Sequence, residues 1–363
     1  MTVRYLNGKF TAQQTTGVQR AAACLVGALD ELLARGEAVP GRWVLLCPPG
    51  AKLPMLTHIE VRCGGPAGSL HRWEQLWLPW AARDGQLVNL AGSAPWFGRR
   101  QVVTIHDAAV WDHPGAYTRG FVAWYRLLFR RLAASAQCLI TVSEFSRARL
   151  QACLAPQVPL AVVPNGCDHL DAVVPDDAFV DRLGLARRPF LLAVASANPT
   201  KNLERLVRAF GVISAGRDLA LVIAGGRNPK VFAGALAEPD PPGVLRPGPL
   251  GDAQLKALYG RAVALAFPSL YEGFGIPPLE AMRCGCPVVA STAASLPEVC
   301  ADAALMVDPL SEAAIADALR RVLDEPLLRA RLRARGLARA AGCTWQASAR
   351  ELLAALAAAG DRR

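Results

Sequence analysis

The sequence predicts an α/β protein built from two halves of the same grammar. Short apolar runs of strand length alternate with longer amphipathic stretches, the pattern of βαβ units whose parallel sheet is covered on both faces. This alternation fills the first half, breaks off in the polar, proline-containing stretch from Asp168 to Pro189, and restarts at Phe190. A chain of 363 residues is also long enough for two domains, each with its own core. The expected division is residues 1–185, residues 186–344, and a last helix, 345–363.

Bulk properties narrow the class. Hydrophobic residues make up 52% of the chain and charged residues 19%, a globular balance. No apolar run reaches the roughly 20 residues of a bilayer span, and Met1 to Phe10 lacks the apolar core of a secretory signal. A cytoplasmic protein is therefore expected. The ten cysteines are scattered, and the closest pair, Cys284-Gly-Cys286, lacks the CxxC spacing of zinc knuckles. They read as reduced, mostly buried small hydrophobes, with no metal site. The net charge of +10 suits nucleic acid, anionic lipid or phosphorylated substrates, and does not by itself choose among them.

In chain order, strands are expected at Thr2 to Leu6, Trp43 to Cys47, His58 to Cys63, Gln86 to Leu90, Gln101 to Ile105, Cys138 to Val142 and Leu160 to Val163. The first helix is expected over Ala21 to Leu33. Gly17, between strand and helix, either is a plain loop glycine or lets an anion approach the backbone. The stretch His71 to Trp80 concentrates three tryptophans, which either pack in the interior or in part stack on a sugar face. His106 follows the fifth strand, at the carboxyl edge where ligands gather in open α/β sheets, either as a hydrogen-bond partner or acid/base group for a ligand or as a histidine that only satisfies the loop. The helical stretch Phe121 to Arg131 places Arg126 and Arg130 one turn apart beside aromatics, a mixture that suits an anionic membrane surface or a core helix with a basic edge.

The second half repeats the grammar, with strands at Phe190 to Ala195, Leu219 to Ala224, Ala262 to Phe267, Val288 to Ala290 and Ala304 to Val307. Helices are expected over Leu203 to Ser214, Asp252 to Gly260, Ser311 to Asp324 and Leu327 to Ala340, and a last helix opens at Thr344. Lys201 joins the first of these strands to its helix. It is either an exposed helix-start lysine or a point charge for a diphosphate.

The most informative stretch is Phe267 to Ala290. Pro277 and Pro278 suit the first turn of a helix, which Gly285 and Pro287 then stop. Glu272-Gly-Phe-Gly-Ile276 thus places the amides of Gly273, Phe274, Gly275 and Ile276 at the positive end of a helix dipole, an arrangement that invites phosphate. Glu272 and Glu280 flank the loop. Either they accept hydrogen bonds from sugar hydroxyls, or Gly273 and Gly275 only make a tight turn and Glu280 answers the helix dipole.

Thr104-Ile-His-Asp107, Ile140 to Ser146, Val163-Pro-Asn-Gly166, Pro199 to Leu203 and Phe267 to Pro287 occur in the order found in retaining glycosyltransferases of family 4, which the chain resembles over nearly its whole length. Asn7-Gly-Lys-Phe10 with Thr16 to Arg20 is further similar to bacterial mannosyltransferase-like members that build surface polysaccharide. The resemblance implies a GT-B fold, two Rossmann-like domains with parallel sheets facing a central cleft, with the final helix crossing back onto the first domain. It implies a nucleotide-sugar, GDP- or UDP-linked, as co-substrate, with Glu280 on the ribose, Lys201 and the amides after Glu272 on the diphosphate, and Glu272 on the donor sugar. His106 would serve the sugar or reacting centre, and Gly17 the diphosphate. Many relatives carry an arginine five or six residues before the lysine. Here Ala195 and Ser196 stand there, and Thr200 replaces another frequent arginine, leaving Arg227 or Arg20 as the substitutes.

The expected activity is retaining, metal-independent transfer of a hexose, mannose foremost, to a glycan or lipid-linked glycan. The catalytic candidates are His106, Glu272 and Lys201. No cofactor is expected and no Asp-x-Asp occurs in the chain. Contact with the membrane face is expected to be peripheral, and nucleic acid is not an expected partner. The competing readings are a sugar-nucleotide epimerase or hydrolase of the same fold, and a non-catalytic nucleotide-sugar or glycan-binding protein.

Overall fold

The computed structural model describes residues 3–38, 41–196, 198–226 and 241–360. Contacts divide it into two compact units. The first holds 3–108, 124–166 and the segment from Thr344, and the second holds 109–123 and 167–343.

In the first unit, seven parallel strands form one sheet: β1 (Val3–Asn7), β2 (Arg42–Cys47), β3 (Glu60–Cys63), β4 (Gln86–Asn89), β5 (Gln101–Thr104), β6 (Cys138–Thr141) and β7 (Leu160–Val162). Their order is β3-β2-β1-β4-β5-β6-β7, so the direction of winding reverses between β1 and β4. The central strands β4, β5 and β6 are buried along their full length, as parallel strands covered on both faces must be. Gly17 is not in a loop but opens the first long helix, Gly17–Ala34, with Thr16 as its N-cap. The helix begins before the apolar stretch because Thr16 and Gln19 form a capping box ahead of the first buried residue.

The tryptophan-rich stretch is helical, with a π-helical turn at Trp73–Trp77. The helix Trp345–Gly360 packs against Gly17–Ala34. Gln346 Nε2 donates to Glu31 Oε2 at 2.7 Å, and Arg350 pairs with Glu37 at 2.8 Å. Gly166 permits the approach, since a Cβ there would lie 2.4 Å from the Trp345 backbone nitrogen.

The second unit holds a six-stranded parallel sheet: β8 (Phe190–Val194), β9 (Ala220–Ala224), β10 (Val244–Gly248), β11 (Ala264–Phe267), β12 (Val288–Ser291) and β13 (Leu305–Val307). Its order, β10-β9-β8-β11-β12-β13, is the Rossmann winding, with the reversal between β8 and β11. The amphipathic helix Leu203–Ser214 buries Leu206, Ala209, Phe210 and Ile213 at helical spacing, and Glu312–Asp324 buries Ile315, Leu319 and Val322 in the same core.

The strand β10 is absent from the sequence reading. Its Val-Leu-Arg-Pro-Gly run carries a proline and a glycine, both depleted in strands, and shows no alternation. Contacts also group residues 167–185 with the second unit, a boundary earlier than the one at 185. Lys256 Nζ donates to the carbonyls of Leu170, Asp171 and Val173, and Arg283 pairs with Asp171. The short helix Asp177–Arg182 within this stretch has no apolar period long enough to announce it.

Candidate active site

The loops that leave β8 and β11, the strands on either side of the reversal in the second sheet, carry Lys201 and Glu272. In open parallel sheets, ligands collect outside the carboxyl ends of such a pair.

One contact shapes the first loop and two tie it to the second. Asn198 caps the tight turn Pro199–Lys201 by accepting from the Thr200 amide at 3.0 Å. Asn202 takes the left-handed conformation (φ 58°) that asparagine tolerates, and its Nδ2 donates to the carbonyls of Pro268 and Pro309 at 2.9 and 2.7 Å. Thr200 O accepts from the Leu270 amide at 2.7 Å. As a result Lys201 Nζ lies 2.7 and 2.8 Å from the two carboxylate oxygens of Glu272 and 5.8 Å from the centre of the Phe267 ring.

After Glu272 the chain turns into the helix Ile276–Arg283 through Gly275, whose φ of 109° is open to glycine alone at little cost. A Cβ there would also sit 2.8 Å from Leu296 Cδ2. The Ser295 hydroxyl, fully buried, is within reach of the carbonyls of Glu272 (3.0 Å) and Phe274 (2.8 Å) and holds the loop's acceptors inward. Gly273, Phe274, Gly275 and Ile276 are all buried, and Glu272 is half-buried.

Glu280, in the first turns of the helix, is 4% exposed and has both oxygens engaged. Tyr259 Oη donates to Oε2 at 2.8 Å, and His169 Nε2 lies 3.0 Å from Oε1. Burial, reinforced by the carboxylate, pushes the Tyr259 phenol well above its usual range, so it remains a donor. Tyr271, beside Glu272, meets the His113 ring at 5.0 Å. Sequence reasoning selected Lys201, Glu272, the two glycines and Glu280 but not Tyr259, His169, Ser295, Asn202 or His113, because no local spacing marks a contact made through tertiary packing.

The first unit carries the other two candidates. His106 follows β5, and its Nε2 lies 3.2 Å from the carbonyl of Leu90, at the end of β4. Burial lowers its pKa to about 4, so the ring is neutral at pH 7. A Cβ on Gly92 would touch both His106 Cδ2 (3.4 Å) and Val18 Cγ1 (3.9 Å), which puts the start of the helix Gly17–Ala34 beside the imidazole. Lys201 and Glu272 are thus together in one unit, and Gly17 and His106 together in the other. Arg227 lies outside the described residues, and Arg20 is in the helix that Gly17 opens.

Residues 177–339 match the sequence pattern of glycosyl transferases group 1, and residues 60–169 that of Glycosyltransferase Family 4. The O-antigen chain mannosyltransferase B of Escherichia coli is 31% identical over 256 residues, which cover 68% of this chain and 67% of that protein. Among solved structures, sucrose-phosphate synthase of Thermosynechococcus elongatus superposes with a TM-score of 0.75 at 21% identity, over 97% of each chain. HepE of Anabaena, in complex with UDP and glucose, gives 0.70 at 16% identity over 99% of this chain and 100% of that one. The two parallel-sheet units are those of a glycosyltransferase of the GT-B class. The chain belongs to glycosyltransferase family 4.

Proposed function

We propose that the chain transfers mannose, with retention at the anomeric carbon, from a GDP- or UDP-linked donor to a glycan or lipid-linked glycan in polysaccharide biosynthesis. The observation that carries this proposal is the Lys201–Glu272 pair at the strand-order reversal of the second sheet, next to the N-terminus of Ile276–Arg283. The donor supplies what each partner needs. Its diphosphate takes the Lys201 ammonium and the first-turn amides of the loop from Gly273 to Ile276, and its sugar hydroxyls take the Glu272 carboxylate. Glu280, steadied by Tyr259 and His169, accepts from the ribose. In the other unit, His106 is a neutral imidazole able to hydrogen-bond a sugar hydroxyl, and Gly17 leaves room for an anion at the start of its helix.

In the reaction the bond from the sugar's anomeric carbon to the diphosphate oxygen breaks, and an acceptor hydroxyl oxygen bonds to that carbon on the same face. The hydroxyl proton passes to the departing phosphate oxygen. Lys201 and the amides stabilise the charge that develops there, without a metal ion or other cofactor. The kinship with an O-antigen mannosyltransferase supports mannose and a polysaccharide product. The UDP complex of the Anabaena protein supports a nucleoside diphosphate. An acceptor on a lipid carrier would bring Arg126 and Arg130, one turn apart, against an anionic membrane face. No helix among the described residues is long and apolar enough to cross a membrane.

Thermal melts with GDP-, UDP- and dTDP-sugars identify the donor, since a ligand that binds only the folded state raises the melting temperature. NMR of the product made from that donor then reads the anomeric configuration. Inverted product overturns retention, and free sugar released from donor alone replaces transfer with hydrolysis.

A further inference from the structure

The first sheet has its own strand-order reversal, between β1 and β4, and a buried polar cluster occupies it. Lys9, just after β1, reaches Glu74 Oε2 at 2.7 Å and Ser93 Oγ, in the loop after β4, at 3.1 Å. The Ser93 hydroxyl donates to Glu74 Oε1 at 2.7 Å. Asn7 Nδ2 donates to the same oxygen at 3.1 Å and to Asn89 Oδ1 at 2.9 Å. Glu74 is 1% exposed and sits on the π-helical turn Trp73–Trp77, a distortion that recurs at functional sites. Ser93 follows Gly92, whose neighbour is His106.

We propose, building on the transferase function above, that Lys9 is an acceptor-binding residue that donates a hydrogen bond to a sugar hydroxyl, and that Glu74 is its positioning residue. An ammonium has three donors, and Glu74 and Ser93 take two. The third remains, on a side chain that keeps 12% of its surface exposed. Glu74 cancels the lysine's charge, which favours a neutral oxygen over a phosphate. The carboxylate accepts from Lys9, Ser93 and Asn7 together, so the ammonium is held at one place rather than swinging on its stem. A salt bridge kept for stability alone would not need to stand at the carboxyl edge where the sheet reverses, with Ser93 one residue from the glycine that borders His106.

The test is titration of the full chain with methyl α-D-mannopyranoside, methyl α-D-glucopyranoside and methyl α-D-galactopyranoside, followed by saturation-transfer NMR. The wild type is expected to bind at least one of them saturably, and Lys9→Met to weaken that binding roughly tenfold to a hundredfold, the worth of one hydrogen bond to a charged group. Lys9→Met leaves a buried carboxylate unpaired. Lys9→Met/Glu74→Gln, which removes that charge, keeps the fold testable and should lose the glycoside equally while its nucleotide-induced thermal shift stays as in the wild type. Wild-type glycoside affinity in either folded variant, or no saturable binding by the wild type, overturns the subsite. A wild type that binds glycoside in a Lys9-dependent way but transfers sugar from no donor upholds the subsite and sinks the transferase function instead.

Discussion

Lys201 Nζ stands within 2.8 Å of both carboxylate oxygens of Glu272, although 71 residues separate the two in sequence. Lysine and carboxylate hold each other in the geometry that a donor would take over. Lys201→Ala and Glu272→Ala are each expected to reduce transfer roughly a hundredfold to a thousandfold, the usual cost of one group that meets developing charge. Both side chains keep some solvent contact, 20% and 11%, so each variant should still fold. Full turnover in either folded variant would remove the pair from the site.

Gly275→Ala tests the loop rather than the charges. The new methyl meets Leu296 Cδ2 at 2.8 Å in a left-handed backbone, and left-handed cost and overpacking together amount to about 2 kcal/mol or more. The expected result is a lowered melting temperature together with a weakened nucleotide-induced shift. A variant that melts normally and binds nucleotide normally would show that the turn has no such constraint.

Tyr259→Phe deletes a single buried hydrogen bond to Glu280. The expected loss is about 1 kcal/mol of stability, with weaker nucleotide binding because Glu280 then keeps only His169 at its other oxygen. Denaturant unfolding measures the first effect and isothermal titration with GDP and UDP the second. Unchanged nucleotide affinity would separate Glu280 from the ribose.

His106 makes stability depend on pH with a definite sign. Its pKa drops from 6.5 in the unfolded chain to about 4 in the fold, so between these values the unfolded chain binds the extra proton. The histidine's contribution is complete above pH 6.5, declines as pH falls toward 4, and falls no further below that. Melting curves of the wild type and His106→Gln across this range should converge toward acid, because the variant lacks the titration. Parallel curves would mean that the imidazole is not desolvated.

Much of the fold was legible because parallel strands buried on both faces are written as unbroken apolar runs. Phe190–Val194 and Ala220–Ala224 could hardly be anything else in a chain of this class. β10 escaped because Pro247 and Gly248 disguise an edge strand. In the site, Glu272, Gly275 and Glu280 were readable since one short stretch carries them all. Tyr259 and His169 were not, because their contacts with Glu280 depend on tertiary packing that leaves no local trace. The Lys9–Glu74 pair was hidden for the same reason, with the glutamate lying inside a run that reads only as aromatic.

The packing of Trp345–Gly360 on Gly17–Ala34 also has a consequence for synthesis. The ribosome releases the seven strands of the first sheet long before the helix that covers this face, and the whole of residues 167–343 emerges in between. Nascent chains should therefore complete the second unit first, while the apolar surface of Gly17–Ala34 waits uncovered for a segment not yet translated. Stalled or truncated nascent chains lacking the helix would expose that surface, which makes them natural clients for chaperones that bind apolar segments.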